Sequence, residues 1–222
     1  MPDSLSNLAA GQVVTGFSFP VVALYAESGG SVSYSDGMDL ARGVSLDPDI
    51  ETADEDNVFY ADNRSAESVP RRFKRGSVGL TVDGLLVAAE KLIMGIPSTA
   101  TSEVTIGTGS SAPTVEVTDY NDDQNIPYVG LGAVVRSQSK GTELFRAIVY
   151  TKCRFEQFDV PASTQEEEID WQTTELNAAL HRDDTVKHTW LRKSEFLATE
   201  LEAYNAVRVM LGMSVAASLP TP

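Results

Sequence analysis

The stretch Gly43–Gly95, GVSLDPDIETADEDNVFYADNRSAESVPRRFKRGSVGLTVDGLLVAAEKLIMG, decides the fold, because an acidic segment, a strand and a helix follow one another in it. Val78, Leu80 and Val82 alternate with Gly79 and Thr81, the period-2 pattern of a half-buried strand. Asp83 then stands where a helix N-cap belongs, and Gly95 where a left-handed C′ residue belongs. Between them Leu85, Ala88, Ala89, Leu92 and Ile93 make one apolar stripe, so the helix is expected to lie flat on a sheet.

Upstream, residues 46–57, LDPDIETADEDN, carry Asp47, Asp49, Glu51, Asp54, Glu55 and Asp56. Like charges at this density repel one another, and a projecting, extended acidic loop is expected. Arg71, Arg72, Lys74 and Arg75 follow closely. An anionic segment this near a cationic one points to pairing, between neighbouring subunits or within one; two separately solvated faces are the alternative. These acidic and basic residues together form the candidate assembly interface.

Working outward, Val13, Phe17, Phe19, Val21, Ala23 and Tyr25 alternate with Gly16, Ser18 and Pro20 as a strand would. Pro20 cannot donate to a ladder, which marks an edge strand or a bulge. SGGSVSYSDG reads as a turn-rich connection or a hairpin tip. Beyond Gly95, EVTIG and TVEVT can pair as a small hairpin across GTGSSAP, making residues 96–127 a surface insertion. Val129, Leu131, Ala133 and Val135 alternate, the turn SQSKGT follows, and LFRAIVYTKCRF forms a second long strand. Ile169, Trp171 and Thr173 share one parity and Leu176, Ala178 and Leu180 the other, so a bulge is expected near Thr174. Val186, His188 and Trp190 read as a last strand, and Ser194 as the cap of a C-terminal helix striped by Leu197, Leu201, Tyr204, Val207 and Leu211.

The expected fold class is mostly β (α+β), with one helix on the sheet and a C-terminal helix. Its expected division is an N-terminal arm over 1–10, a β domain over 11–192 containing the 96–127 insertion, and a helix and tail over 193–222. Lys and Arg number 17 against 32 Asp and Glu, a net charge of -15 that disfavours a wrapped nucleic-acid backbone or an anionic membrane. MPDSLSNLAAGQVV lacks a basic n-region and an apolar h-region, and no stretch approaches the ~18 apolar residues of a span. Synthesis and folding in the cytoplasm are therefore expected.

Chemistry-bearing residues are sparse. Cys153 is the one cysteine, which excludes an intrachain disulfide, and its place on an alternating strand reads as a small buried hydrophobe. His181 and His188 match no zinc spacing, DPDIETADEDN lacks the EF-hand pattern, and GTGSS is not followed by the lysine of a phosphate loop. No catalytic, cofactor or metal site is expected.

The order of these pieces resembles the major tail proteins, or tail tube proteins, of long-tailed, non-contractile bacteriophages. GVSLDPDIETADEDNVFYADN is similar to that family's strand and acidic loop with an aromatic-Ala-Asp step, here Phe59, Tyr60, Ala61 and Asp62. GSVGLTVDGLLVAAEKLIMG resembles its strand-then-helix unit. GLGAVVRSQSKGTELFRAIVYTKCRFEQFDVPASTQEEEIDWQTTELNAAL resembles its hairpin, its strand with Tyr150, Lys152, Cys153 and Phe155, and its Glu-rich loop before a Gln-Thr strand. The likeness runs from Gly43 to Leu180 apart from 96–127.

The resemblance implies a tail-tube-type β-sandwich or barrel whose subunits form hexameric rings stacked into a tube within the virion tail. It implies a homo-oligomer with a tape measure protein and tail terminator or distal tail proteins as partners, no membrane, and DNA passing an anionic lumen without specific binding. Two other classes compete. One is a virion decoration or receptor- or glycan-binding β-sandwich using Trp171 or Trp190; the other is a hydrolase using loop carboxylates.

Overall fold

A computed structural model describes residues 11–52, 57–61, 64–69, 72–109, 112–158, 164 and 172–220, with backbone alone for 57–61 and 64–69. In chain order the elements are β1 (Val13–Ser28), β2 (Ser31–Asp39), β3 (Gly43–Thr52), β4 (Asn57–Ala61), β5 (Arg64–Val69), β6 (Phe73–Val82), α1 (Val87–Met94), β7 (Thr101–Thr105) and β8 (Thr114–Thr118). They continue with β9 (Val129–Ser139), β10 (Thr142–Phe155), β11 (Thr174–His181), β12 (Leu191–Lys193) and α2 (Glu200–Met210). The mostly β, α+β class expected from the sequence is the class observed.

One antiparallel sheet in the order β2-β1-β9-β10-β11-β6-β3, with β12 added to β10, organises the molecule. The sheet curls until β3 lies against β1. Its inner side closes over Val22, Val78, Leu80, Leu131, Ile148 and Leu176, with Ala89 and Ile93 of α1 packed among them. On the other side Val21, Ala23, Val134, Phe145, Ala147 and Val149 lie beneath Ala203, Tyr204, Val207 and Leu211 of α2 and its C-terminal turn. Strands β1, β9 and β10 are thus covered on both faces, so their apolar runs are nearly continuous where a one-sided strand would alternate.

Gly130 and Gly132, on β9, explain how α2 comes so close. A Cβ on Gly130 would stand 2.6 Å from Leu211 Cδ2, and one on Gly132 2.5 Å from Val207 Cγ1. The glycines in VGLGAVV are therefore there for space.

The β9–β10 hairpin expected from turn chemistry forms, while of SGGSVSYSDG only Gly29 and Gly30 make a tip, the residues from Ser31 on being strand β2 rather than connection. Gly29 and Gly30 join β1 to β2, and Lys140 and Gly141 join β9 to β10, all four at positive φ as the two-residue turn that fits strand twist requires. β7 and β8 pair as the insertion hairpin, with Val104 opposite Val115. Pro20 marks a bulge, since the β1/β9 register shifts between Ser18 and Val21 beside Phe19 at φ 51°. The edge alternative fails, because β1 is paired on both sides.

Four local expectations are corrected. The acidic run begins as strand: Asp47, Asp49 and Glu51 lie on β3, where Leu46 and Ile50 turn into the core between them. Charge repulsion lost to this period-2 burial. Pro48 is tolerated because β3 is paired on one side, and edge charge and proline discourage unwanted pairing.

Asp83 does not cap α1. The helix begins at Val87 after Leu86, and Asp83 instead accepts from the Arg42 backbone N–H at 3.1 Å and pairs with the Arg42 guanidinium. Of the expected stripe Ala89 and Ile93 are buried, Leu85 and Leu92 partly so and Ala88 exposed, and Gly95 closes the helix at φ 63°.

The expected strand over Val186–Trp190 is a loop. Asp183 Oδ1 accepts from the Thr185 and Thr189 backbone N–H groups and from Thr185 Oγ1, which satisfies locally what a ladder would have satisfied, and His188 sits at φ 51°. The short β12 follows it.

Ser194 does not cap α2. Its Oγ accepts from the Ala147 N–H, while Thr199 and Glu202 form a reciprocal capping box. Of the residues around the expected bulge near Thr174, Ile169 and Trp171 lie outside the described residues; Leu176, Ala178 and Leu180 are buried along β11.

Candidate functional site

Among the candidate interface residues, Asp54, Glu55, Asp56 and Arg71 lie outside the described residues. The others converge on the β3/β6 ladder. Asp47 faces Gly79, Asp49 faces Ser77 and Glu51 faces Arg75. The Arg75 Nε and Nη2 groups donate to the two Glu51 carboxylate oxygens at 2.7 and 2.8 Å, the fork geometry that binds carboxylates best. That hydrogen bonding, with the positive charges of Arg75 and Lys74, holds the Glu51 carboxyl below its usual value. Acid and base therefore pair within one chain at this position. Arg72 and Lys74 are exposed beside it.

The ladder does not end with the sheet. Beyond Thr52, which pairs with Phe73, the same two runs pair again as β4 and β5, Asn57 opposite Val69 and Ala61 opposite Arg64, in a two-stranded ladder separate from the main sheet. The described residues between Gly43 and Val82 thus form two antiparallel ladders, β3/β6 within the main sheet and β4/β5 outside it as an arm.

A cleft of about 720 Å³ lies between Phe17–Phe19 of β1, the connection after Asp39, the turn before α1, and Pro220. Its polar groups are engaged with one another or with neighbours. Asp39 accepts from the Tyr204 hydroxyl at 2.8 Å, Arg42 pairs with Asp83, and the Ser18 hydroxyl donates to Glu200 at 2.6 Å. With Phe17, Phe19, Ala41, Leu85 and Leu86 as its remaining walls, the cleft is suited to an apolar group.

A cluster on the same sheet escaped the sequence reading. Lys152 Nζ lies 5.1 and 4.6 Å from the ring centroids of Tyr25 and Tyr128 and 2.6 Å from Asp184 Oδ2, which also accepts from the Tyr25 hydroxyl at 2.7 Å. Cation–π attraction and a shared carboxylate fix the ammonium there. Those hydrogen bonds from Lys152 and Tyr25 hold the Asp184 carboxyl low, and desolvation with the Asp184 bond pushes the Tyr25 phenol up. The Tyr25 hydroxyl is therefore not poised to give up its proton near neutral pH. The β1-β9-β10 adjacency and the loop after β11 bring these residues together, and no local motif announces it.

His181 packs edge-on to Tyr128 at 5.4 Å, and desolvation followed by the charges of Lys152 and Arg154 lowers its pKa. His188 belongs to the Asp183 loop. Cys153 is buried, and desolvation pushes its thiol well up. Trp190 stacks on Phe73 at 5.0 Å, which takes one ring face from any sugar; Trp171 lies outside the described residues. Among the described residues no group of three or more His, Cys, Asp or Glu side chains could hold a metal ion, and no helix is long and apolar enough to cross a membrane.

No model of a known protein family matches the chain, and no curated protein matches it.

Proposed function

We propose that this chain is a structural subunit that assembles with copies of itself into stacked hexameric rings, the tail tube of a long-tailed, non-contractile bacteriophage. The observation that carries the reading is the arm made by β4 and β5, whose ladder is not part of the main sheet. Two strands alone are marginal in water, so a ladder of this kind gains stability from a neighbouring surface. The outer edges of β2 and β3 in the main sheet offer further backbone groups to a neighbour.

In this reading the subunit performs no catalysis. A net charge of -15 suits a conduit that repels DNA, so the genome slides past without specific binding. A tape measure protein would occupy the bore during assembly, terminator or distal tail proteins would close its ends, and the site of action is the virion tail.

Negative-stain microscopy of the purified chain tests this directly, at high concentration and with or without a tape measure protein. Rings or tubes of uniform diameter are expected. A species that stays monomeric under all these conditions sinks the reading.

A further inference from the structure

Strand β1 has neighbours on two sides along only part of its length. β2 pairs with it from Val21 to Ser28, whereas over Val13–Ser18 its partner among the described residues is β9 alone. The side away from β9 is there an open row of backbone groups, and Val13, Val14, Thr15 and Gly16 along it are exposed. A Cβ built on Gly11 or Gly16 would meet nothing within 4 Å, so there is room beside the row. At its inner end the row runs into the cleft of about 720 Å³, whose walls include Phe17 and Phe19.

We infer that residues 1–10 of the same chain cover this row as an added antiparallel strand and seat Leu5 in the cleft. The segment lies outside the described residues and joins the row at its outer end, through Gly11. A two-residue reverse turn at Gly11–Gln12 sets Ala10 opposite Val13 and brings Leu5 level with Phe17–Phe19. Reach agrees, since Leu5 to Gly11 and Val13 to Phe19 are equal lengths of strand, each about 20 Å. Composition agrees as well. MPDSLSNLAA carries Asp3 as its one charged side chain, and Leu5 is the kind of group that walls of Phe17, Phe19, Ala41, Leu85 and Leu86 accept. Attachment at the end of the row itself holds the segment at an effective concentration on the order of millimolar, far above that of a separate molecule in dilute solution. The contact needs no second copy, so it stands or falls apart from the tube reading.

Hydrogen exchange on the full chain tests this. The β1 amides between Val13 and Ser18 that point away from β9 should exchange about tenfold or more slowly than in a chain that starts at Gly11. That protection should be the same in dilute and concentrated samples, as a contact within one molecule requires. Leu5→Asp keeps the length but sets a carboxylate against apolar walls, and should lose the protection while the amides of β9 and β10 keep theirs. Leu5→Met should retain it.

Equal rates in the full and shortened chains overturn the inference. Protection that appears only as concentration rises also overturns it, by assigning the row to a second copy. A Leu5→Asp chain as protected as the parent overturns the seating of Leu5 in the cleft.

Discussion

Glu51 and Arg75 stand directly opposite each other on β3 and β6, joined by two parallel hydrogen bonds at the root of the arm. Both side chains are solvent-accessible, so screening keeps the stabilisation small, but the position tests whether the arm is zipped from its base. Arg75→Glu or Glu51→Arg alone should lower the urea midpoint, since each sets like charges in register. The swapped double variant should recover most of the loss. A double variant no better than the two single losses combined would show that the groups do not interact.

Gly132 has room for no side chain beneath Val207. Gly132→Ala should cost about 1–3 kcal/mol by overpacking, read as a lower midpoint at unchanged slope. Adding Val207→Ala should make the glycine substitution milder than it is alone, because the cavity admits the new methyl. Strict additivity in that cycle would mean that α2 does not press on β9 here.

Much of this fold is legible because period and turn chemistry agree along β9 and β10, where Leu131 and Ala133 alternate toward one core and Lys140-Gly141 fixes the turn. β3 departs from the expected loop because the two side chains Leu46 and Ile50, rather than the run of six carboxylates, decide its burial. Caps at Asp83 and Ser194 failed for a different reason. Each residue has cap chemistry, but a tertiary partner, Arg42 or the Ala147 N–H, claims it first. The Lys152 cluster carries no local signal, since its residues meet only through sheet order and the loop after β11. Of the candidate interface, the Glu51–Arg75 pairing followed from opposite charge, whereas its register required the ladder.

Acidification should destabilise the protein in two windows. His181 has a folded pKa below its ordinary 6.5, so the unfolded chain binds the proton more readily and stability falls as pH drops from about 6.5. Glu51 and Asp184 are held below their ordinary 4.5 and 3.8, so their contribution is complete at neutral pH and is lost as pH falls through their folded values. His181→Phe should flatten the melting temperature between about pH 7 and 5 and leave the loss below about pH 4 intact. A parent curve already flat across the upper window would contradict the assigned direction for His181.

Ile93 is fully buried where α1 meets the inner core, whereas Leu92 beside it is only partly so. Ile93→Asp places an unpaired charge among Leu80, Ala89 and their neighbours and should cost several kcal/mol, enough to prevent folding. Leu92→Asp should be milder, because its carboxylate can reach water. Soluble, cooperatively melting Ile93→Asp protein would refute the packing of α1.

The arm can be removed at a defined joint. Thr52 and Phe73 are the last paired residues of the β3/β6 ladder, so an Asn-Gly turn in place of residues 53–72 closes the root as an ordinary two-residue hairpin. Both helices and every core residue named above lie outside the excised segment, and the shortened chain should fold with a melting temperature close to the parent's. If the outer ladder reaches for a neighbour, the same protein should form no tubes at concentrations where the parent does, and should not extend parent tubes when added to them. Tubes of normal length from the shortened chain would remove the arm from the assembly contacts and, with it, the main support for a tiled subunit.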